Sequence, residues 1–360
     1  MVTCVLVCLA VLTGCESSPP EPPPSPSVTL GTPQPSPSFV SPTPSSLPIP
    51  PVGPDGSVHF TAQGDIGVDD GARKVLDTIA GLQPQVNLAL GDFTYKAGIE
   101  QRFCDMVKGK LGQEFPYQVI TGNHESDGHD GDIENIVRCL PNRLPGIQGK
   151  YGTQWFADFP EKDPMVRFVM VSPGIDFKDG KPLDYSRDSE RWRWTVDAID
   201  GAAAAKIPWT VVGMHTPCLT VGRYQCQAGK DLTNMLMAKK VDLVLSGHEH
   251  HYQRTHQLGL GTSCPDLLPQ AFSAGCLTDT DASMVQGAGT VFATVGTGGR
   301  ELRDVQAKDS EARYFAAVSG KNRNPALGTL DVTATADRLS ARFVPAEGYD
   351  FTDSFTIERR

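Results

Sequence analysis

Short apolar runs that end in a glycine and a polar side chain recur along this sequence. The first two occupy residues 58–62 and 86–90, and each has the length and apolar content of a buried β-strand. Between them, residues 72–80 carry apolar side chains at helical spacing, at Ala72, Val75, Leu76 and Ile79. Strand, helix and strand in this order predict a βαβ unit of an α/β fold.

Further elements extend the same pattern. Strands are predicted at residues 117–121, 209–213, 241–245 and 290–295, and residues 328–344 alternate like paired strands. Two helices are predicted as well. One covers residues 188–205, where apolar positions precede an alanine-rich end and Pro208 follows, and a second ends within residues 234–240.

Side chains that can bind metal follow five of the predicted strands. They are Asp65, Asp92 with Tyr95, Asn123, His215, and His248 with His250. Singly, each has a structural explanation, since an aspartate can cap a helix and a histidine can be hydrogen-bonded in a core. Open α/β sheets bind ligands at the carboxyl ends of their strands, and four of the eight histidines fall at such ends. We therefore predict a two-metal centre bridged by Asp92, whose two oxygens can each bind a cation.

Two other motifs indicate loops. Residues 126–132 (SDGHDGD) are similar to a calcium-binding loop but lack the glycine and the distant glutamate of an EF-hand, so a polar surface loop is expected. Residues 296–300 (GTGGR) follow a predicted strand without a following helix, so a turn is favoured over a nucleotide-binding loop.

Charge restricts the partners. The 360 residues carry a formal net charge of −10. Because an acidic protein gains no counterion release on nucleic acid, we expect no nucleic-acid partner.

The N-terminal region has a composition typical of export. Residues 1–15 are predicted to be a lipoprotein-type signal peptide with Cys15 as the lipidated residue, although no lysine or arginine precedes the apolar run. An ordinary secretory signal is the alternative. Residues 16–54 are rich in proline and serine and predict a disordered linker, or else an unprocessed low-complexity tail. Residues 55–360 are predicted to form one catalytic domain. Its only link to a membrane would be the lipid anchor at Cys15.

Six cysteines lie beyond the signal region: Cys104, Cys139, Cys218, Cys226, Cys264 and Cys276. An even number in an exported chain favours three disulfides, and the sequence alone does not choose among the pairings. Pairing of neighbours along the chain is our expectation. A zinc site is the competing interpretation, but the chain has no Cys-x-x-Cys motif.

The order of the motifs GDIG, GDFTY, GNHE, VGMH and GHEH resembles the calcineurin-like metallophosphoesterases, across residues 58–300. Within that superfamily, the glycine of GDxG and the tyrosine of GDxxY are most similar to purple acid phosphatases. The resemblance implies a four-layer α/β/β/α sandwich with two mixed β-sheets. It also implies two metal ions, Fe(III) with Fe, Zn or Mn.

The resemblance assigns the ligands residue by residue. Asp65, Tyr95 and His250 would bind the first metal, and Asp92 would bridge both. Asn123, His215 and His248 would bind the second metal. His124 would not be a ligand but a catalytic residue that contacts the phosphate or the leaving group.

The sequence departs from the family at one place. Family members often carry another histidine after the position of His215, yet residues 216–230 contain none. Arg223 lies there, between Cys218 and Cys226, and its guanidinium could hold phosphate oxygens. A solvated loop arginine is the alternative interpretation.

These observations predict an exported binuclear-metal phosphatase, secreted or lipid-anchored outside the cytoplasm, that hydrolyses phosphomonoesters through a metal-activated hydroxide. The alternatives are a phosphodiesterase or nucleotidase with the same centre, and a non-catalytic surface-binding protein on this fold.

Overall fold

Two large β-sheets organise the part of the chain that this computed structural model describes, residue 53 and residues 56–360. The predicted signal peptide and the lipidation site Cys15 lie outside the described residues, as does the predicted linker apart from residue 53. The domain boundaries therefore remain predictions.

Residues 56–360 form seventeen strands: β1 (Val58–Gln63), β2 (Val86–Ala89), β3 (Tyr117–Val119), β4 (Gln148–Lys150), β5 (Gln154–Phe159), β6 (Val166–Met170), β7 (Trp209–Gly213), β8 (Leu243–Ser246), β9 (Tyr252–Thr255), β10 (Gln257–Leu258), β11 (Leu277–Asp279), β12 (Ser283–Val285), β13 (Val291–Val295), β14 (Phe315–Ser319), β15 (Gly328–Ala334), β16 (Arg338–Pro345) and β17 (Asp353–Glu358). Six α-helices form in the same part of the chain: α1 (Asp70–Leu82), α2 (Glu100–Leu111), α3 (Asn123–Ser126), α4 (Ile133–Cys139), α5 (Glu190–Ala204) and α6 (Lys230–Ala238).

Both large sheets are mixed. The first has the strand order β12-β17-β16-β15-β1-β2-β3, in which β1, β2 and β3 are parallel and β1 pairs antiparallel with β15. The second has the order β14-β9-β13-β8-β7-β6-β5-β4, with β6, β7, β8 and β13 parallel at its centre. A separate two-stranded ladder joins β10 and β11.

Side-chain alternation along the strands shows how the layers stack. In β8, Leu243 and Leu245 belong to the core between the sheets, whereas Val244 packs in a second core that includes Ala198 and Leu232 of α5 and α6. Phe60 of β1 meets Phe168 of β6 edge to face, with ring centroids 5.1 Å apart. The two sheets therefore pack on one another, and helices cover their outer faces. The predicted α/β/β/α sandwich is confirmed.

Helix α1 shows how the apolar pattern determines packing. The four apolar residues that predicted it, Ala72, Val75, Leu76 and Ile79, are all buried. The helix ends where Gln83 adopts a left-handed conformation and its N–H donates to the carbonyl of Ile79. The helix predicted over residues 188–205 corresponds to α5, which begins after Ser189. The hydroxyl of Ser189 accepts from the N–H of Trp192.

Three disulfides join Cys104 to Cys139, Cys218 to Cys226 and Cys264 to Cys276. The neighbour pairing expected from the sequence is confirmed. The first links α2 to α4, and the second closes the loop between β7 and α6. Among the described residues, no helix is long and apolar enough to cross a membrane.

Candidate metal centre

Strand ends from both sheets converge at the candidate centre. In the first sheet, Asp65 and Asp92 follow the adjacent parallel strands β1 and β2, and Asn123 follows β3. In the second sheet, His215 follows β7 and His248 follows the neighbouring β8. Because these parallel strands all end at the same edge, residues far apart in the sequence become neighbours.

The backbone at this edge is unusual. Asp65, Asp92 and His248 have φ angles of 59°, 58° and 69°, in the left-handed region that non-glycine residues seldom occupy. Each follows a glycine, and an added Cβ on any of the three glycines would lie within 3.0 Å of a neighbouring atom. A Cβ on Gly91 would lie 2.7 Å from Nδ1 of His215, and one on Gly247 would lie 2.8 Å from Oδ2 of Asp65. Strained conformations and close backbone approach of this kind concentrate at functional sites.

Two groups of buried ligand atoms share one carboxylate. Asp65, Asp92 and His250 form the first group, and Asp92, His215 and His248 form the second. Within each group the ligand atoms lie within 4.8 Å of one another. Asp92 therefore faces both groups, which is the geometry that a bridging carboxylate requires.

The other two predicted ligands lie beside these groups. Oδ1 of Asn123 is 3.1 Å from Nε2 of His215. The hydroxyl of Tyr95 is 3.5 Å from Oδ2 of Asp92. All seven residues predicted from the sequence to be ligands are thus brought together.

Nitrogen and oxygen atoms lie close to one another in this cluster. Nδ1 of His215 is 2.7 Å from the carbonyl of Leu90 and donates to it, which directs Nε2 into the cluster. That nitrogen lies 3.1 Å from Nδ1 of His248 and 3.3 Å from Oδ1 of Asp92. Oδ1 of Asp65 and Nε2 of His248 are buried, and neither has a hydrogen-bond partner among the residues that the structure describes. Buried acceptors without donors are rare unless something else satisfies them, so the residues present fit metal ions.

Burial shapes the acid–base properties of the cluster. Burial raises the pKa of Asp65 to about 7, with Asp92 adding to the rise. Burial, followed by the carboxylates of Asp92 and Asp65, also raises the pKa of the Tyr95 phenol well above its usual value. Burial lowers the pKa of His215, but the nearby Asp92 carboxylate raises this pKa by more, to about 9. Cations at this site would favour the ionised oxygens, so the donor set is complementary to positive charge.

His124 is held by two contacts. Its backbone N–H donates to Oδ1 of Asp92 at 3.1 Å, and its Nδ1 lies 2.8 Å from Oδ2 of Asp130. The ring packs against Tyr95, with centroids 4.3 Å apart. Asp130 belongs to the segment predicted as a polar surface loop, and the sequence offered no indication that its carboxylate would contact His124.

Glu125 is a second residue that sequence reasoning missed. Its buried carboxylate accepts from the N–H groups of Asp92 and Phe93, at 3.0 and 3.2 Å. Burial raises its pKa to about 8, with Asp92 contributing. The side chain fixes the position of the Asp92 loop relative to α3, which carries Asn123. Its place directly after His124 in the GNHE motif was the available indication.

A cavity of about 600 Å³ opens over the cluster. Its wall includes Tyr95, His124, His250, Arg223, Arg300 and Arg303. Arg223 thus lies in the cavity wall, and its role in binding substrate stays a prediction. The guanidinium of Arg300 lies 4.2 Å from the centre of the Tyr95 ring, and Tyr224 stacks on His248 at 4.1 Å.

Comparison with known proteins places these features among phosphoesterases. Residues 58–252 match the family model of the calcineurin-like phosphoesterases. The chain is 24% identical to purple acid phosphatase 18 of Arabidopsis thaliana over 216 residues, which are 58% of this chain and 47% of that protein. It is 32% identical to an uncharacterized protein of Mycobacterium tuberculosis over 249 residues, which are 63% of this chain and 44% of that protein.

A solved structure gives the same result for the fold. The purple acid phosphatase from yellow lupin (Lupinus luteus) seeds superposes with a TM-score of 0.61 at 17% identity, over 84% of this chain and 54% of that one. The chain spans about half the length of the curated relatives it matches.

Proposed function

The chain belongs to the calcineurin-like phosphoesterase family, and from that premise we propose that it is an exported binuclear-metal phosphatase acting on phosphomonoesters. The observation that carries the proposal is the pair of buried ligand groups sharing Asp92. Asp65, Tyr95 and His250 would hold one metal, and Asn123, His215 and His248 the other. The resemblance to purple acid phosphatases supports Fe(III) with Fe, Zn or Mn in these positions.

The charge of the donor set is consistent with that pair of ions. Two aspartates and an ionised Tyr95 carry three negative charges, and a trivalent with a divalent ion would carry five positive ones. When bound, such ions supply a water of lowered pKa and positive charge beside the phosphoryl oxygens. The excess of about two positive charges would be available to a phosphate dianion and a hydroxide.

Two contacts support a proton-donor role for His124. The contact with Asp130 fixes its Nδ1, so the ring presents its Nε2 toward the cavity above Asp92. A proton held at Nε2 can pass to the departing alkoxide oxygen or be shared with a phosphoryl oxygen. Arg223, in the wall of the same cavity, would bind the anionic substrate.

Export is supported by the three disulfides, which persist in oxidising compartments. We propose that the protein acts outside the cytoplasm and that Cys15 carries a lipid anchor. Cys15→Ser should release the protein from the membrane fraction into the medium. If the wild-type protein is already free in the medium, the lipid anchor is refuted and ordinary secretion is supported.

The test of the proposed activity compares two substrates. Metal-loaded protein should hydrolyse phenyl phosphate with a kcat/KM well above that for bis(4-nitrophenyl) phosphate. A higher value for the diester would instead support a phosphodiesterase. Hydrolysis of neither, with both metals bound, would contradict the proposal and favour a binding role. Asn123→Ala should reduce the rate, and Asn135→Ala, on α4 away from the cluster, is the matched control.

A further inference from the structure

The cavity over the metal centre concentrates positive charge on an otherwise acidic chain. Four cationic side chains line it, Arg223, Arg300, Arg303 and Lys321, against the two acidic residues Glu301 and Asp304. The whole chain has a net charge of −10. A positive cavity on an acidic protein attracts anions specifically to that cavity.

Among the described residues, two of the four cations have carboxylate partners and two have none. Lys321 lies 3.4 Å from Glu301, and Arg300 lies 3.3 Å from Asp69. In the part of the chain that the structure describes, Arg223 and Arg303 form no ion pair within 4.0 Å, and Asp304 forms none either. The guanidinium groups of Arg223 and Arg303 therefore remain available to a ligand.

The guanidinium groups of Arg223 and Arg303 lie next to one aromatic ring. Arg223 is 5.6 Å and Arg303 is 5.5 Å from the centre of the Tyr224 ring. The ring stacks on His248, and the N–H of Tyr224 donates to the buried carboxylate of Glu249 at 2.7 Å. The disulfide between Cys218 and Cys226 closes the loop that carries it. The ring is thus a fixed support for the two arginines.

Arg303 is tied directly to the metal centre. Its backbone N–H donates to the carbonyl of His250 at 2.9 Å, and its side-chain Nη1 donates to the carbonyl of His248 at 3.3 Å. One guanidinium donor is used in this way, and the others are available for a bidentate contact. An anion bound at Arg303 would share the cavity with a phosphoryl group bound beside His250.

Building on the proposed function, we propose that Arg223 and Arg303 bind a second anionic group of the substrate. The preferred substrates are then small phosphomonoesters that carry a carboxylate or another phosphate near the scissile phosphoryl group. Planar, forked guanidinium donors suit both kinds of anion. A cavity of about 600 Å³ has room for such a molecule beyond the phosphoryl group itself.

Three matched compounds test this proposal: phenyl phosphate, 3-carboxyphenyl phosphate and 1,3-phenylene bisphosphate. The wild-type protein should show a kcat/KM about tenfold higher for each of the two compounds with a second anion, the usual effect of a charge-assisted hydrogen bond. Comparing those two compounds distinguishes a carboxylate from a phosphate as the second group. Binding of the corresponding phosphonates, measured by calorimetry, gives the same ranking without turnover.

The variants locate the effect. Arg303→Ala and Arg223→Ala should each lower kcat/KM for the two compounds with a second anion toward the value for phenyl phosphate. Arg303→Lys should retain part of the preference for those compounds. Arg102→Ala, on the exposed side of α2, is the matched control and should keep the full preference. Metal content is measured for each variant, because Arg303 contacts the main chain of two candidate ligands.

Two results would overturn the inference. One is equal affinity of the wild-type protein for all three phosphonates. The other is an equal loss of affinity for all three phosphonates in Arg303→Ala and Arg223→Ala. That result would mean that the arginines act only on the scissile phosphate. Failure to hydrolyse phenyl phosphate would contradict the proposed phosphatase activity, whereas the phosphonate ranking would still decide the second-anion site.

Discussion

His124 illustrates how a single side chain depends on residues that no motif reveals. It is adjacent to the candidate ligand Asn123, but its orientation comes from Asp130, six positions along the chain and in a loop. A histidine that protonates a leaving group must present the correct nitrogen, and the partner of the other nitrogen determines which one that is. Asp130 is therefore a positioning residue in the proposed mechanism.

Asp130→Asn should lower kcat by about tenfold for phenyl phosphate, within the range of general acid catalysis, and leave KM little changed. The loss should be smaller for 2,4-dinitrophenyl phosphate, because a good leaving group needs no proton. His124→Ala should show the same dependence on leaving group with a larger loss.

The control for this prediction is Asp127→Asn, a carboxylate of the same loop that accepts from the N–H of His129 instead. It should leave both rates unchanged. An equal loss for good and poor leaving groups in Asp130→Asn would contradict the positioning role.

Tyr95 is predicted to give the iron-loaded protein a visible absorption band. A phenolate bound to ferric iron absorbs visible light by charge transfer, so iron-loaded protein should be coloured and Tyr95→Phe should bleach it. Tyr349→Phe, a half-buried tyrosine outside the cluster, should leave the colour unchanged. Colourless wild-type protein with iron bound would remove Tyr95 from the ligand set.

At the residue scale, the sequence predicted candidates that a strand delivers directly. Asp65, Asp92 and His248 each follow an apolar run and a glycine, which is a local pattern. Asp130 and Arg303 reach the site through loops whose path depends on the whole fold. Arg303 lies beyond the GTGGR turn and belongs to no motif, so only the structure reveals its place beside His248 and His250.

At the scale of elements, the turn between β2 and Asp92 depends on close approach. Gly91 has a φ of 87°, and a Cβ on it would lie 2.7 Å from Nδ1 of His215. Gly91→Ala should therefore lower the free energy of unfolding by more than about 1–3 kcal/mol, from backbone strain and steric overlap.

Gly109→Ala is the matched control, because Gly109 lies inside α2 and an added Cβ would contact nothing within 4 Å. Alanine there should raise the free energy of unfolding by about 0.5–1 kcal/mol. Denaturant unfolding of both metal-free variants checks the pair. A neutral Gly91→Ala would show that the loop can move without cost.

Several elements with strong apolar patterns were predicted, but β6 was missed although all five of its residues are buried. Strand β7 has the predicted bounds, and α1 buries the predicted face. Helix α2 was missed because its buried positions include Glu100 and its exposed face includes Gly109. Strands β9 and β14 were also missed, since their pairing across the second sheet joins segments far apart in the chain.

At the scale of the whole molecule, stability should depend on pH through Asp242. Burial raises its pKa from 3.8 to about 7, although the N–H of Thr210 donates to its carboxylate at 2.9 Å. The folded state therefore binds more protons at Asp242 than the unfolded state between these two values. It follows that this group's contribution to the free energy of unfolding falls as pH rises from about 4 to about 7.

Asp242→Asn keeps the acceptor for Thr210 and removes the charge. Relative to the wild type, it should be more stable at pH 8, by up to about 4 kcal/mol, and nearly unchanged at pH 4. Denaturant unfolding at both values measures the difference. Asp105→Asn, exposed on α2, should change neither, and an unchanged or lower stability of Asp242→Asn at pH 8 would contradict the expected shift.

The fold as a whole was predictable because the motifs lie in the order that a known family shows, and the family match over residues 58–252 agrees with it. The distribution of charge was not predictable. A net charge of −10 gave no indication that four cationic side chains would gather around one cavity. That arrangement depends on how the loops after β7, β13 and β14 meet.

Asp92 is proposed to bridge two metal ions, and the decisive measurement is elemental analysis of Asp92→Ala. Because both ligand groups include this carboxylate, the variant should lose both metals together, and Asp105→Ala should retain both. Circular dichroism of the two variants confirms that each is folded. One metal retained near full occupancy in folded Asp92→Ala would contradict the bridging role.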